Sequence, residues 1–75
     1  MTLIQQYVKI PNSEDILMVE LIKSEADDDS GAVEFKCMVY YDNPIDNIEL
    51  LVFIAFCEKT AKSLFYNYVA YLSGD

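Results

Sequence analysis

The chain has no histidine, no arginine and no tryptophan. Each absence removes a class of function. Without histidine the commonest general base and metal-binding side chain is missing, so neither a Ser–His nor a Cys–His pair can be built. Without arginine, and with five scattered lysines, phosphate cannot be neutralised by clustered cations, and direct nucleic-acid binding is not expected. Glycine is equally scarce: neither of the two glycines sits in a phosphate-cradling loop, which excludes a P-loop or dinucleotide fingerprint. Long apolar runs are lacking too. Residues 50–57, LLVFIAFC, give eight apolar residues in a row, against about 20 needed to span a bilayer. The opening MTLIQQYVKIP is too polar for a signal peptide. No membrane association is expected, and the expected location is the cytoplasm.

What is present is acid and apolar bulk. Thirteen Asp and Glu give 75 residues a formal charge of −8, while 53% of the residues are hydrophobic. Residues 1–49 hold eleven of the acids and three lysines, so the acidic character belongs to the first two-thirds of the chain. Such a field repels phosphate and attracts basic surfaces. The apolar content exceeds the needs of one small core and suggests a second buried surface, at a subunit or partner interface.

One domain is expected, of α+β class: a three-stranded antiparallel sheet in β-β-β-α order, packed by one long C-terminal helix. Residues 2–10 and 16–23 read as strands parted by the turn cluster Pro11-Asn12-Ser13, with Leu17, Val19 and Leu21 on the cleaner apolar face. Residues 32–41 alternate best: Val33, Phe35, Cys37 and Val39 point to the core. The second and third strands then form a hairpin across the polar loop at 24–31. Over 43–74, Leu50, Ile54, Cys57, Ala61, Leu64, Tyr68 and Tyr71 recur at steps of four and three, which predicts a helix capped by Asn43 and Pro44 and closed by Gly74. The alternative is a fourth strand at 48–57, on its β-branched and aromatic content, and a short helix from about Thr60. On the long-helix reading Val52, Phe53 and Phe56 lie off the main stripe, and a second copy of the chain covers them as a dimer interface.

The search for chemistry yields no catalytic residue and no cofactor. Cys37 and Cys57 read as small buried thiols, with Glu58 raising the pKa of Cys57. Asp27, Asp29 and Gly31 give D-x-D-x-G, but Met38 stands where an EF-hand needs Glu, so no metal is expected. Tyr68 and Tyr71 fall on the helix stripe; Tyr40 and Tyr66 fall off the apolar faces and are candidate contact residues. The expected function is non-catalytic binding. Glu14, Asp15, Glu20, Glu25, Asp27, Asp28, Asp29 and Glu34 would meet a protein with a basic surface, in particular the nucleic-acid-binding groove of a partner.

In size and charge the chain resembles small phage-borne inhibitors of host defence systems, anti-CRISPR proteins among them, and acidic immunity proteins. The resemblance covers no motif; it implies a phosphate mimic acting as an inhibitor. The alternative is a structural or adaptor homodimer, similar in character to secretion-type chaperones, with the apolar helix as subunit interface.

Overall fold

The computed structural model describes residues 1–25, 31–42 and 47–74. Four strands and one helix follow in order: β1 (Thr2–Lys9), β2 (Ile16–Glu25), β3 (Val33–Asp42), β4 (Asn47–Ala55) and α1 (Glu58–Leu72). The strands form one antiparallel sheet with neighbours in chain order. The helix packs across one face. The molecule is 15 Å through its shortest dimension, which leaves room for two layers only.

The three N-terminal strands lie where the sequence places them. Along β3 buried Phe35, Cys37 and Val39 alternate with half-buried Lys36, Met38 and Tyr40, the period of a sheet covered on one side. Val19 pairs with Val39 and Leu21 with Cys37, so the core residues of both strands stand on the same face. In the β1–β2 turn Ile10 N–H donates to Asp15 C=O at 3.1 Å. Asn12 takes a positive φ of 62° there, a conformation Asn tolerates better than most side chains.

The long helix is overturned in favour of four strands and a short helix. Residues 47–55 pair with β3 from Asp42↔Asn47 to Phe35↔Ala55. The cap expected at Asn43 and Pro44 falls outside the described residues; α1 starts at Glu58, after a bend at Phe56–Cys57. In an unbroken apolar run a step of three and four is satisfied whatever the backbone does; Ile48, Val52, Phe53 and Ile54 carry the preference for strand. Val52 is the extra residue of a bulge opposite Cys37 and Met38. Val52 and Phe53 pack against the core, whereas Phe56 is 72% exposed. The subunit contact expected of these three residues therefore loses its helix.

The helix also presents a different stripe. Ala61, Phe65 and Val69 are buried, with Tyr68 and Leu72 packed beside them. Leu64 and Tyr71, expected to face the core, are 42% and 73% exposed. Ala61 N–H donates to Cys57 C=O at 2.9 Å to close the first turn, and the C-terminus ends as the sequence suggests. Ser73 N–H donates to Val69 C=O at 3.0 Å, and Gly74 follows with φ +86°. Among the described residues no helix is long and apolar enough to cross a membrane.

Candidate functional site: the uncovered sheet face

The sheet face opposite α1 has no second layer among the described residues. Register identifies its occupants: Gln5 lies beside Glu20, Tyr7 beside Met18, Met18 beside Tyr40, Glu20 beside Met38, Ile22 beside Lys36, and Tyr40 beside Glu49. Strand alternation forces this grouping, because every second residue of β2 and β3 must leave the core. The displaced residues are unusually apolar for a solvated face. Tyr7, Ile22, Met18, Met38, Leu51 and Ile54 form a carpet into which three carboxylates are set: Glu20, Glu34 and Glu49.

Two of those carboxylates flank Tyr40. Its hydroxyl is pushed above the ordinary tyrosine pKa by burial first, then by the negative charges of Glu20 and Glu49. Glu20 is held in place: Thr2 Oγ1 donates to its Oε1 at 2.8 Å, and Gln5 Nε2 lies 3.4 Å from Oε2. Glu34 sits 3.6 Å from Lys36 Nζ. That pair is exposed enough for water to screen it.

The structure sets three of the residues expected to bind a partner, Glu20, Glu34 and Tyr40, on one face and places Glu14, Asp15, Glu25 and Tyr66 off it. Glu14 and Asp15 lie in the β1–β2 turn, where Asp15 accepts a hydrogen bond from Tyr41 at 2.9 Å. Glu25 ends β2 opposite Val33, off this face. Tyr66 is exposed on α1, on the far side of the sheet. Asp27, Asp28 and Asp29 lie outside the described residues. Glu49 was missed, along with the methionines and Tyr7. A helix over 43–74 puts Glu49 in its second turn and off the sheet; the alternation of Met18, Glu20 and Ile22 marks the face that Glu49 joins.

Of the two thiols expected to be buried, only Cys37 is. Cys37 is buried, and its pKa is pushed up to about 11 by that burial. Cys57 is exposed at the N-cap of α1. Its pKa is lowered, not raised: Thr60 N–H is the largest cause, followed by the Thr60 hydroxyl and the Lys59 N–H. The neutral thiol makes no capping bond; the thiolate gains from the donors at the helix start. Among the described residues no polar or charged residue is buried as a whole, although Ser24 Oγ is out of solvent without a hydrogen-bond partner, and no three His, Cys, Asp or Glu side chains converge.

No protein-family model, curated protein or solved structure matches the chain.

Proposed function

We propose that this chain is a non-catalytic binding protein whose uncovered sheet face receives a basic surface of another protein. The observation that supports this reading is the placement of Glu20 and Glu49 on either side of Tyr40 in a carpet of methionine and aliphatic side chains. Carboxylates supply steering and register, while methionine and tyrosine supply adaptable contact area. A net charge of −8 suits the chain to surfaces rich in Lys and Arg, of which nucleic-acid-binding grooves are the largest class. In such a groove the protein acts as a phosphate mimic and an inhibitor.

The test compares two charge reversals of equal size. Glu20→Lys/Glu49→Lys alters the face; Glu14→Lys/Glu25→Lys makes the same change in net charge elsewhere. Each is titrated against a short Arg-rich peptide at low and high salt, with amide shifts mapped by NMR. Expected is a loss of roughly tenfold or more for the face variant and a much smaller loss for the other, with wild-type shifts centred on Glu20, Tyr40 and Glu49. Equal losses from both variants, or binding indifferent to salt, would refute the assignment of the face.

A further inference from the structure

The two edges of the sheet are built differently. The β1 edge is polar: Thr2, Gln5, Gln6 and Lys9 punctuate it. Polar and lysine-bearing edges resist pairing with another strand. The β4 edge has no such protection. From Leu50 to Cys57 it carries no charge, no proline and no glycine, and its outer backbone groups face no strand among the described residues. Ile48, Leu50, Leu51, Ile54 and Phe56 are 43 to 72% exposed.

These side chains wrap around the edge. Ile48 and Leu50 pair with Tyr41 and Val39 and so stand on the helix side. Leu51 and Ile54 pair with Met38 and Lys36 and stand on the uncovered side. A partner lying flat on one face covers half of this surface. An added strand covers all of it, because its own side chains alternate between the faces. That strand must itself be apolar on both faces and nearly free of charge. This chain contains such a strand, β4 itself.

We infer that β4 is the subunit edge of a homodimer, in which the β4 strands of two copies run antiparallel about a two-fold axis and join two four-stranded sheets into one. The bulge at Val52 fixes the register. It reverses the alternation partway along β4, so like faces meet along the whole strand only if the axis passes beside Val52, as when it runs between Leu51 and Val52. Leu50 then lies opposite Phe53 and Ile48 opposite Ala55 on the helix side, with Glu49 opposite Ile54 on the other. The two Glu49 residues end up about 17 Å apart along the strands, five residues at about 3.4 Å each. That is beyond a Debye length of about 8 Å at physiological salt. With about 190 Å² for each fully exposed residue of this size, the five exposed residues offer up to about 500 Å² per copy, or about 1,000 Å² for the pair, the lower end of a specific interface.

Dimerisation and partner binding respond oppositely to salt, so either reading can fail without the other. Two copies carrying −8 each repel at low salt, and screening favours their association; screening weakens attraction to a basic partner. The experiment is sedimentation velocity on the full chain over a range of concentrations and salts, with Leu51→Lys and Ile54→Lys as edge variants and Tyr7→Lys as a control on the opposite edge strand. Expected is a species of twice 8.6 kDa that tightens with salt, weakened roughly tenfold or more by either edge variant, where each lysine enters twice, and left intact by the control. Hydrogen exchange on the wild-type chain, above and below the dissociation concentration, checks the same claim without mutation: β4 amides should gain protection with dimerisation. A wild-type chain that stays monomeric, even when a different protein captures it, overturns the homodimer. So do edge variants that associate like wild type, or β4 amides whose protection ignores concentration.

Discussion

Replacing Phe65 with alanine should bring the domain to the edge of unfolding, while the same replacement at Phe56 should scarcely be felt. The side chains are identical, so burial alone sets the difference. Phe65 is completely buried at the centre of the helix stripe, between Ala61 and Val69; Phe56 is 72% exposed in the bend before the helix. Truncating a buried phenylalanine costs about 3–5 kcal/mol in lost transfer energy and residual cavity. A domain of 75 residues has about 4–11 kcal/mol in total, at about 0.05–0.15 kcal/mol per residue. Phe56→Ala forfeits only the buried quarter of its side chain and should cost under about 1 kcal/mol. With a urea m-value of about 1 kcal/mol/M for so small a domain, Phe65→Ala should lower the midpoint by about 3 M or more. The assay is urea denaturation followed by circular dichroism and tyrosine fluorescence. It should be run at two protein concentrations, so that any contribution of Phe56 to association shows as a concentration-dependent midpoint. Equal losses at the two sites would refute the packing of α1. So would a larger loss for Leu64→Ala than for Phe65→Ala, since Leu64 faces the core only if the helix is rotated.

The two thiols should separate cleanly: in the native protein Cys57 should react with a thiol reagent at once and Cys37 only on unfolding. Cys37 also sets a sign for alkaline stability. Its folded pKa of about 11 lies above the model-peptide value of 9.0, so between those values the unfolded chain gives up a proton that the folded chain keeps. Stability is therefore intact below pH 9 and falls as pH rises toward 11, with a shallower fall in Cys37→Ala measured by urea midpoints. Gly74→Ala should cost about 1 kcal/mol, because a Cβ there meets Pro11 Cγ at 3.0 Å and φ is +86°; a neutral result in thermal melts would mean that the helix end does not dock on the β1–β2 turn.

What the sequence reveals follows from where periodicity carries information. In β2 and β3 apolar and polar residues alternate, so Leu21 opposite Cys37 and Val19 opposite Val39 could be anticipated before any register was known. In 50–57 every residue is apolar, and a uniform run fits a helix and a strand equally. Composition was the better guide there. The helix stripe is ambiguous for a related reason: Ala61 and Tyr68 pack on the core as the spacing predicts, but Leu64 and Tyr71 continue that line as well as the buried Phe65 and Val69 do. The start of the helix decides between them. The chain leaves β4 with Ala55 buried and turns at Phe56–Cys57, which brings the small side chain of Ala61 down on the sheet. The uniform run also hides Glu49, since a helix over 43–74 takes it off the sheet, whereas Glu20, Glu34 and Tyr40 lie in segments whose faces the alternation assigns.

Placing β4 at the edge also alters how the charge of the chain is to be understood. Of the described acids, Glu14 and Asp15 lie on the β1–β2 turn, Glu20, Glu34 and Glu49 on the uncovered sheet face and Glu25 at the end of β2, but β4 beyond Glu49 has none. An acidic protein with one uncharged, apolar strand edge has two surfaces with opposite requirements. The face with Glu20 and Glu49 gains from a cationic partner and loses by screening. The edge with Leu50, Leu51 and Ile54 gains from an apolar strand and is hindered only by the general repulsion between acidic bodies. Joining two copies at β4 places their uncovered faces side by side on the same side of one sheet, since a two-fold axis perpendicular to the sheet keeps like faces together. The dimer would then present two sets of carboxylates to a basic groove, so that the edge doubles the valency of the face without competing with it. A variant that abolishes dimerisation from the helix side of the edge, such as Leu50→Lys, leaves the carpet of the uncovered face in place; it should therefore bind a short Arg-rich peptide nearly as the wild type does and lose affinity chiefly for a long basic surface that spans both copies.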